Sequence, residues 1–401
     1  MAPKKSNFRR SQLVELSSCT KCGECRNWCE AFTGDKATEP RQKVQDIGAM
    51  LKGERLPGLL SRLLGGRKLT SEELDQLSKA VYGCTMCSRC SAVCPVGIDL
   101  EAVWQSMRRE LADMGKCPPA LFQVKDAIVA QHNVYSYPND ERGGWTDFAS
   151  DVPADLYQRE KAEVVYFVGC LASFSPSVQS ITETLTSLLT KAGVDFTIMG
   201  KHEWCCGFPL MTAGMNEAAE ELKRHNIDRV RQTGAKSMVF SCPSCYRTWK
   251  HEYQQHLPEV EMLHSTQFIL RLIKQGKLKL GPVNKKLTYH DPCDLGRNSG
   301  VFEEPRQIIK AIPSAVFVEP ALTREHGFCC GGGGDLEISD SALAATISEK
   351  AFAPLKDTGA DIIVTACQQC KRMLLKAREK AGGGPQVLDI TELVMTSIKS
   401  V

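Results

Sequence analysis

The chain has 401 residues, of which 42% are apolar, and its 50 basic and 47 acidic side chains leave a net charge of +3. This length predicts two or three domains, and so balanced a charge argues against nucleic acid as a partner. No segment reaches the ~20 consecutive apolar residues that cross a bilayer, and the basic start MAPKKSNFRR is not followed by the apolar run of a secretory signal. We expect a cytoplasmic protein without a membrane span of its own, which reaches the inner face of a membrane only through a partner.

The first part of the chain is predicted to be helical. Residues 1–18 are expected to be a tail that leads into a short helix, with docking to a partner or a membrane as the alternative role of its basic side chains. The segment between residues 30 and 83 predicts helices, one of them with Thr70 as N-cap and Glu73 at its third position. After a further helix from residue 101, a polar connector with Pro and Gly at 136–160 is predicted to be a linker.

From about residue 161 the chain alternates between strands and helices, which is typical of a parallel α/β layer. The predicted strands are 164–168, 196–199, 237–240, 287–290, 315–318 and 362–365, and the predicted helices are 175–192, 216–232, 303–312 and 341–358.

Cysteines recur in this α/β part at nearly constant offsets of 123, 124 and 125 residues. The three pairs are Cys170 with Cys293, Cys205 with Cys329, and Cys242 with Cys367. Such offsets indicate an internal duplication into two halves rather than a solenoid. The predicted domains are therefore a helical domain at 1–135, a linker at 136–160, and two repeats at 161–280 and 281–401.

The nineteen cysteines are unusual for a chain with no export signal, because disulfides do not persist in a reducing cytosol. Eight of them form two runs with the spacing of bacterial ferredoxins, in which the fourth cysteine of each run binds the cluster of the other run. The sequence thus predicts two cubane [4Fe–4S] clusters. One is assigned to Cys19, Cys22, Cys25 and Cys94, and the other to Cys84, Cys87, Cys90 and Cys29.

Zinc is the alternative for these runs, but zinc sites use two separated CxxC pairs and do not explain four cysteines within eleven residues, twice. The first run departs from the ferredoxin pattern because Glu30 stands where proline is usual. The 54 residues between the runs are too many for a compact ferredoxin hairpin and favour an all-helical module.

Ten further cysteines form two matching sets of five, which exceeds the needs of one zinc ion or one ordinary cubane. The sets are Cys170, Cys205, Cys206, Cys242 and Cys245, and Cys293, Cys329, Cys330, Cys367 and Cys370. Several of these cysteines follow predicted strands and precede helices, where α/β folds bind ligands and where a helix N-terminus favours a thiolate. A redox metal site is the preferred interpretation; vicinal disulfides, buried structural thiols and zinc are the alternatives.

Two ferredoxin runs followed by two Cys-xn-Cys-Cys-Gly-xn-Cys-x-x-Cys patterns resemble the D-type heterodisulfide reductase family, a fusion of that enzyme's ferredoxin (C) and catalytic (B) subunits. The resemblance covers about residues 15–395. It implies an N-terminal all-helical two-cluster ferredoxin module and a pseudo-two-fold pair of α/β cysteine-rich (CCG) domains. It also implies a noncubane [4Fe–4S] cluster in each five-cysteine set. A disulfide would be cleaved between the two sets, with catalytic roles for Cys205, Cys206, Cys329 and Cys330.

Two functions follow from this resemblance. The first is a subunit of an anaerobic multi-subunit oxidoreductase that relays electrons from the ferredoxin-type clusters to paired clusters that reduce a disulfide. The alternative is a pure relay between a flavin or quinone module and an aromatic acyl-CoA reductase or a glycerol-3-phosphate or lactate-type dehydrogenase. Expected partners are a flavoprotein, a cytochrome b or a catalytic oxidoreductase subunit.

A few other residues are weaker candidates. His202, His290 and His326 lie near the cysteine motifs and are candidate proton donors, with a structural role as the alternative for each. Arg247 and Arg297 would suit an anionic substrate, again with structural roles as the alternative. Cys117 fits neither kind of cysteine set and is predicted to be an unligated thiol.

Overall fold

A computed structural model of the protein describes residues 6–55, 63, 65–149, 151–153, 155–156 and 159–398. The described residues form two units by contact. The first unit comprises those within Met1–Gln123, Pro209–Asn216 and Gly331–Ile347, and the second those within Val124–Phe208, Glu217–Cys330 and Ser348–Val401.

The N-terminal part is helical, as predicted. Its helices are α1 (Arg10–Ser17), α2 (Glu24–Asn27), α3 (Pro40–Arg55), α4 (Ser71–Tyr82), α5 (Arg89–Ala92), α6 (Leu100–Asp113) and α7 (Pro119–Gln131). The predicted start of α4 is confirmed, because the Glu73 amide donates to Thr70 Oγ1 at 3.3 Å and the Thr70 amide donates to Glu73 Oε2 at 2.8 Å. This reciprocal pair satisfies two amides that the first helical turn leaves without partners.

Helix α6 is central to the first unit. It is capped by the Asp99 carboxylate and buries Val103, Trp104, Met107 and Leu111 on one face, at the three- and four-residue spacing of an amphipathic helix.

Arg108 of α6 lies fully inside the same unit and acts as a hydrogen-bonding hub for the backbone. Its guanidinium donates to the carbonyls of Val81, Cys84, Thr212 and Gly334 at 2.8 to 3.3 Å. These carbonyls belong to three segments that are far apart in the chain, residues 81–84, 212 and 334, so a single buried cation joins them.

The glycine run 331–334 packs against a cysteine loop in the first unit. A Cβ atom on Gly334, whose φ is +63°, would lie 2.5 Å from the Cys84 carbonyl oxygen, and one on Gly333 would lie 2.9 Å from that of Thr85. Only residues without a side chain allow this approach of two backbones. The run therefore has a packing role in the first unit.

The second unit contains two four-stranded parallel sheets with helices. The strands of the first sheet are β1 (Val164–Phe167), β2 (Phe196–Ile198), β3 (Ser237–Phe240) and β4 (Glu261–His264), in the order β2-β1-β3-β4. Those of the second are β5 (Lys286–Tyr289), β6 (Val316–Phe317), β7 (Ile362–Thr365) and β8 (Gln386–Asp389), in the order β6-β5-β7-β8. All residues of β1, β3 and β7 are buried, because helices cover both faces of a parallel sheet.

Helices connect these strands and follow them. They are α8 (Cys170–Phe174), α9 (Pro176–Lys191), α10 (Phe208–Thr212), α11 (Asn216–Thr233), α12 (Pro243–Thr248), α13 (Ser265–Lys274), α14 (Glu303–Ala311), α15 (Leu336–Ser339), α16 (Ser341–Lys356), α17 (Gln368–Lys380) and α18 (Ile390–Ile398). All six predicted strands and all four predicted helices of this part are confirmed within two residues at each end. The strands β4 and β8 were not predicted.

The connector predicted as a linker contains regular structure. Residues Asn139–Phe148 form a 3₁₀ helix, and Trp145 within it is 1% exposed and belongs to the core around β1 and β3. Because most residues of the segment are polar, its sequence does not predict that Trp145 packs in the core.

Candidate functional site

The first ferredoxin-type set surrounds one cavity in the first unit. The residues that line it include Cys19, Cys22, Cys25 and Cys94. Burial raises the pKa of the Cys25 thiol to about 11, and the charges of the neighbouring thiolates contribute to that rise. An iron–sulfur cluster held by these four thiols would supply the positive charge that offsets the repulsion among their thiolates.

The second set surrounds a separate cavity in the same unit. Its four thiols are those of Cys29, Cys84, Cys87 and Cys90. The fourth cysteine of each run therefore lies with the first three of the other run, as the ferredoxin spacing requires. Positive φ angles at Lys21, Met86 and Ser88 turn the two loops tightly enough to bring the thiols together.

Glu30, which replaces the usual proline, has a partner in the wall of the second cavity. It accepts a hydrogen bond of 2.5 Å from Arg89, and both side chains are more than nine-tenths buried. The Arg89 guanidinium also lies 4.8 Å from the centre of the Trp28 ring. A buried salt bridge thus connects the residue that follows the first cysteine run to a residue within the second cysteine run.

In the second unit the cysteines lie at the carboxyl ends of the central strands. Cys170 follows β1 and Cys242 follows β3, and these two neighbouring strands connect onward to opposite sides of their sheet. The crevice where connections diverge in this way is the usual ligand site of open parallel sheets. Cys293 and Cys367 follow β5 and β7 in the same manner.

The first five-cysteine set is one continuous group of thiols. The side chains contact one another in the order Cys170, Cys205, Cys206, Cys245, Cys242. Hydrogen bonds from Cys205 and Cys245 lower the pKa of Cys206, and the Cys245 thiol and the amides at the start of α12 lower that of Cys242. Cys206 and Cys242 are thus favoured as thiolates, the form in which cysteine binds metals. The pKa values of Cys170, Cys205 and Cys245 are raised, by hydrogen bonds with neighbouring thiols and by burial.

Three thiols of the second five-cysteine set are in contact with one another. The Cys370 thiol contacts those of Cys330 and Cys367, and the Cys370 amide donates to Cys367 Sγ at 3.3 Å from the first turn of α17. Cys293 and Cys329 are buried as well. In the part of the chain that the structure describes, no three His, Cys, Asp or Glu side chains are grouped as ligands of a single metal ion.

Each CxxC loop reaches into the other repeat. Gln368, inside the second CxxC, donates to the carbonyl of Val168 at 3.1 Å and to Ser241 Oγ at 2.8 Å, and it accepts from the Ala172 amide at 3.2 Å. Two of these partners, Val168 and Ala172, flank Cys170 in the first repeat.

The reverse contact comes from Ser244, inside the first CxxC. It donates to Asp294, which is adjacent to Cys293, at 2.6 Å. The charge of Cys242 also acts on Cys367. The two thiol sets therefore face each other within one unit.

An arginine from the connector at 136–160 contacts the first five-cysteine set. Arg142 is 1% exposed, donates to Cys170 Sγ at 3.4 Å and forms a salt bridge of 2.8 Å with Glu203, which is fully buried. Glu203 accepts in turn from the amides of Val168 and Gly169. Burial raises the pKa of Glu203, and Arg142 opposes that rise.

Comparison with known protein families identifies the same modules. Residues 15–98 match a 4Fe-4S dicluster domain, and residues 164–250 and 287–375 each match a cysteine-rich domain. Over 404 aligned positions, the chain is 35% identical to the D subunit of the dihydromethanophenazine:CoB–CoM heterodisulfide reductase of Methanosarcina barkeri, covering 98% of this chain and 96% of the relative. The chain belongs to the D-type heterodisulfide reductase family. The predicted resemblance is thereby confirmed.

Other members of this wider group are longer proteins. The EtfAB:quinone oxidoreductase of Syntrophomonas wolfei is 28% identical over 98% of this chain, which spans 60% of that protein. A probable iron-sulfur-binding oxidoreductase of Bacillus subtilis is 29% identical, with 62% of its length covered. As a D-type heterodisulfide reductase relative with a dicluster domain and two cysteine-rich domains, the chain is an iron–sulfur subunit of the oxidoreductase class, as predicted.

One solved structure shares the fold across nearly the whole chain. A hypothetical protein from Helicobacter pylori aligns with a TM-score of 0.56 at 11% identity, over 98% of this chain and 73% of its own. Among the described residues of this D-type heterodisulfide reductase relative, no helix is both long and apolar enough to cross a lipid bilayer.

The weaker candidates have structural contacts. Arg247 forms a salt bridge of 3.1 Å with Asp294, and Arg297 donates to the carbonyls of Glu325 and Gly327. Cys117 is 5% exposed in the core of the first unit.

The three histidines differ in exposure. His202 is exposed and its carbonyl accepts from His225, whereas His290 is buried beside Thr365 and Cys330. Burial lowers the pKa of His290. His326 lies in the 3₁₀ helix Arg324–His326.

Sequence reasoning missed Arg142, Glu203 and Gln368. Arg142 lies in a segment that looks like a linker, and Gln368 is one of two adjacent glutamines with no pattern to distinguish them. A charged residue two positions before Cys205 was the one available signal for Glu203.

Proposed function

We propose that this protein relays electrons from two ferredoxin-type clusters to a pair of cluster sites in its cysteine-rich domains, where a disulfide is reduced. The observation that carries the proposal is the exchange of contacts between the CxxC loops, in which Gln368 bonds beside Cys170 and Ser244 bonds beside Cys293. Two one-electron sites that face each other suit a reaction that needs two electrons.

The reaction takes a disulfide, two electrons and two protons to two thiols. Bound iron–sulfur clusters supply the one-electron steps, and the electrons come from a partner subunit that carries a flavin, a haem or another redox centre. This chain's own residues hold the sites, exclude water by burial and orient the thiolates with helix N-termini and Arg142.

The ligand sets of the cubane clusters are proposed as Cys19, Cys22, Cys25 and Cys94 for one and Cys29, Cys84, Cys87 and Cys90 for the other. Their support is that each set lines one cavity. Cys22 is exposed, so we infer that the first cluster exchanges electrons with the partner.

The cysteine-rich sites are proposed to hold noncubane [4Fe–4S] clusters. The ligands are Cys170, Cys205, Cys206, Cys242 and Cys245 in one site, and Cys293, Cys329, Cys330, Cys367 and Cys370 in the other. Five thiols in each set exceed what a cubane requires. We assign the catalytic role to the adjacent pairs Cys205–Cys206 and Cys329–Cys330.

The two cysteine-rich domains are proposed to be a pseudo-two-fold duplication, with domains at 161–280 and 281–401 after a helical domain at 1–135 and a linker at 136–160. Two observations support this. The sheets have the same strand order, and the cysteines follow the corresponding strands in both.

A pure electron relay is the second candidate. The similarity to an EtfAB:quinone oxidoreductase favours it, because that relative is named for transfer between a flavoprotein and a quinone. Under either function we propose an anaerobic, multi-subunit complex on the cytoplasmic side, attached to a membrane through a flavoprotein, cytochrome b or other oxidoreductase partner.

Anaerobic iron and sulfide analysis tests the cluster assignment. Four four-iron clusters give about 16 irons per chain, whereas about 8 irons would overturn the noncubane sites and leave the ferredoxin module. Zinc in place of iron would overturn the redox proposal as a whole.

Thiol release separates the two functions. The chemically reduced protein is mixed anaerobically with an excess of a disulfide. The number of free thiols formed is then compared with the number of clusters that have been reoxidised. Two thiols for every two electrons support reduction at the paired sites. No thiols and unchanged cluster spectra support the relay. A variant with both Cys205 and Cys329 changed to Ser, which keeps the ferredoxin runs, is the control.

A further inference from the structure

The cavity of Cys29, Cys84, Cys87 and Cys90 is more enclosed than that of the first set. None of the described side chains that line it is exposed, whereas the first cavity has Thr20, Lys21, Cys22, Pro95 and Val96 exposed in its wall. An anionic cluster in the second cavity is therefore less well solvated, and burial disfavours the extra negative charge that reduction adds.

Lys43 of α3 lies in the wall of this enclosed cavity and is 2% exposed. Its Nζ donates to the Ala80 carbonyl at 3.3 Å and lies 4.8 Å from the centre of the Trp104 ring. Among the described residues it has no carboxylate partner. A buried ammonium without a counter-charge is costly, so an anion in the cavity is needed to stabilise it.

The other charged side chains of the wall do not supply that anion. Glu30 is committed to Arg89 in a buried salt bridge, and this pair is neutral overall. Glu101 also lines the cavity but is half-buried, where solvent weakens its field. Within the described wall of this cavity, Lys43 is thus the buried positive charge that remains without a matching carboxylate.

The thiols of the same cavity lie within reach of this charge. The Lys43 ammonium acts electrostatically on both Cys29 and Cys90, which line the cavity with it.

We propose that Lys43 is the internal counter-ion of the cluster bound by Cys29, Cys84, Cys87 and Cys90 and that it raises the reduction potential of that cluster. This rests on the cluster ligands given under the proposed function. Reduction adds one negative charge, which a nearby buried cation stabilises. Lys43 thereby offsets the burial that would otherwise make this enclosed cluster harder to reduce than the exposed one. It is a positioning and tuning residue and does not touch substrate.

Redox titration of the full-length protein, followed by electron paramagnetic resonance, tests this. In Lys43→Met, which keeps the length and apolar stem of the side chain, the equilibrium constant for reducing one ferredoxin-type cluster should fall about tenfold, or about 59 mV for one electron. The other cluster should titrate as in the wild type. Lys43→Arg should keep the wild-type potential because it keeps the charge.

Lys52→Met is the matched control. Lys52 lies on the same helix, half-buried, nine residues further on and so close to the opposite face. It should leave both potentials unchanged. Cys22→Ser shows which paramagnetic resonance signal belongs to which cluster. It should alter the signal of the exposed cluster and leave unchanged the signal that responds to Lys43→Met.

The outcomes separate this inference from the proposed function. A wild-type protein without ferredoxin-type iron overturns the cluster assignment itself. If iron is present and Lys43→Met is fully loaded with unchanged potentials, the counter-ion role is overturned. If Lys43→Met loses one cluster while Lys43→Arg binds the normal amount of iron, the counter-ion role is supported. If both variants lose the cluster, the shape of the lysine side chain is required rather than its charge, and the counter-ion role is overturned.

Discussion

Arg142 donates a hydrogen bond from Nη2 to the Sγ of Cys170 at 3.4 Å, inside a core from which water is excluded. A second nitrogen of the guanidinium, Nη1, donates to Glu203 Oε1 at 2.8 Å. The arginine therefore donates to a sulfur and to a carboxylate at once, and its removal leaves the Glu203 carboxylate without its countercharge.

Replacing Arg142 with Met should lower the free energy of unfolding by about 3 to 5 kcal/mol, because it leaves the carboxylate of Glu203 buried and unpaired. Urea unfolding measures the change. The double variant with Arg142→Met and Glu203→Gln should recover part of the loss. Equal losses in the single and double variants would show that the salt bridge is not the cause.

Gly169 should not tolerate a side chain. A Cβ atom there would lie 3.2 Å from Cys245 Sγ, and the φ angle of +80° is strained for other residues. Gly169→Ala should therefore reduce the iron bound by the first five-cysteine set, as measured by iron content and the absorption spectrum.

Gly193→Ala is the control for this prediction, because Gly193 has a φ of +63° but no described atom lies within 4 Å of where its Cβ would stand. It shares the backbone strain and lacks the contact with a thiol. Equal iron loss in both variants would assign the effect to strain alone.

Gln368→Ala should destabilise the second unit by about 1 to 3 kcal/mol, since it removes a fully buried amide that makes hydrogen bonds to Val168, Ser241 and Ala172. The neighbouring Gln369→Ala changes a half-buried side chain that accepts from Arg372 and should cost less. Urea unfolding compares the two. A larger loss for Gln369 would contradict the bridging role of Gln368.

Asp335 should make the stability of the protein depend on pH. Burial raises its pKa from 3.8 to about 7, although Arg108 opposes the rise. Between about pH 4 and pH 7 the folded state then binds more protons than the unfolded state, so stability is lost as the pH rises through this window.

Asp335→Asn stays neutral and should therefore be more stable than the wild type by about 1 to 3 kcal/mol at pH 8, with little difference near pH 4. Urea unfolding at several pH values checks this, and the exposed Asp126→Asn should show no such trend. A constant difference at all pH values would mean that the charge of Asp335 is not responsible.

Local patterns were enough for most of the secondary structure. The apolar run Val164–Phe167 and the alternation after it predict buried parallel strands because such strands need no polar face. The strands Glu261–His264 and Gln386–Asp389 were not predicted, because each is short, begins with an exposed polar residue and precedes a helix directly. Their parallel pairing with β3 and β7 is decided by tertiary contacts.

The cysteine spacing by itself determined that this chain has two ferredoxin-type runs and two matching sets of five, because the geometry of a tight loop around a cluster is local and leaves a repeated spacing in the sequence. Only the tertiary structure decided which other side chains serve these sets. Arg142, Gln368 and Lys43 come from a connector, a CxxC loop and a helix, and they act through burial and charge across space, which leaves no spacing in the sequence.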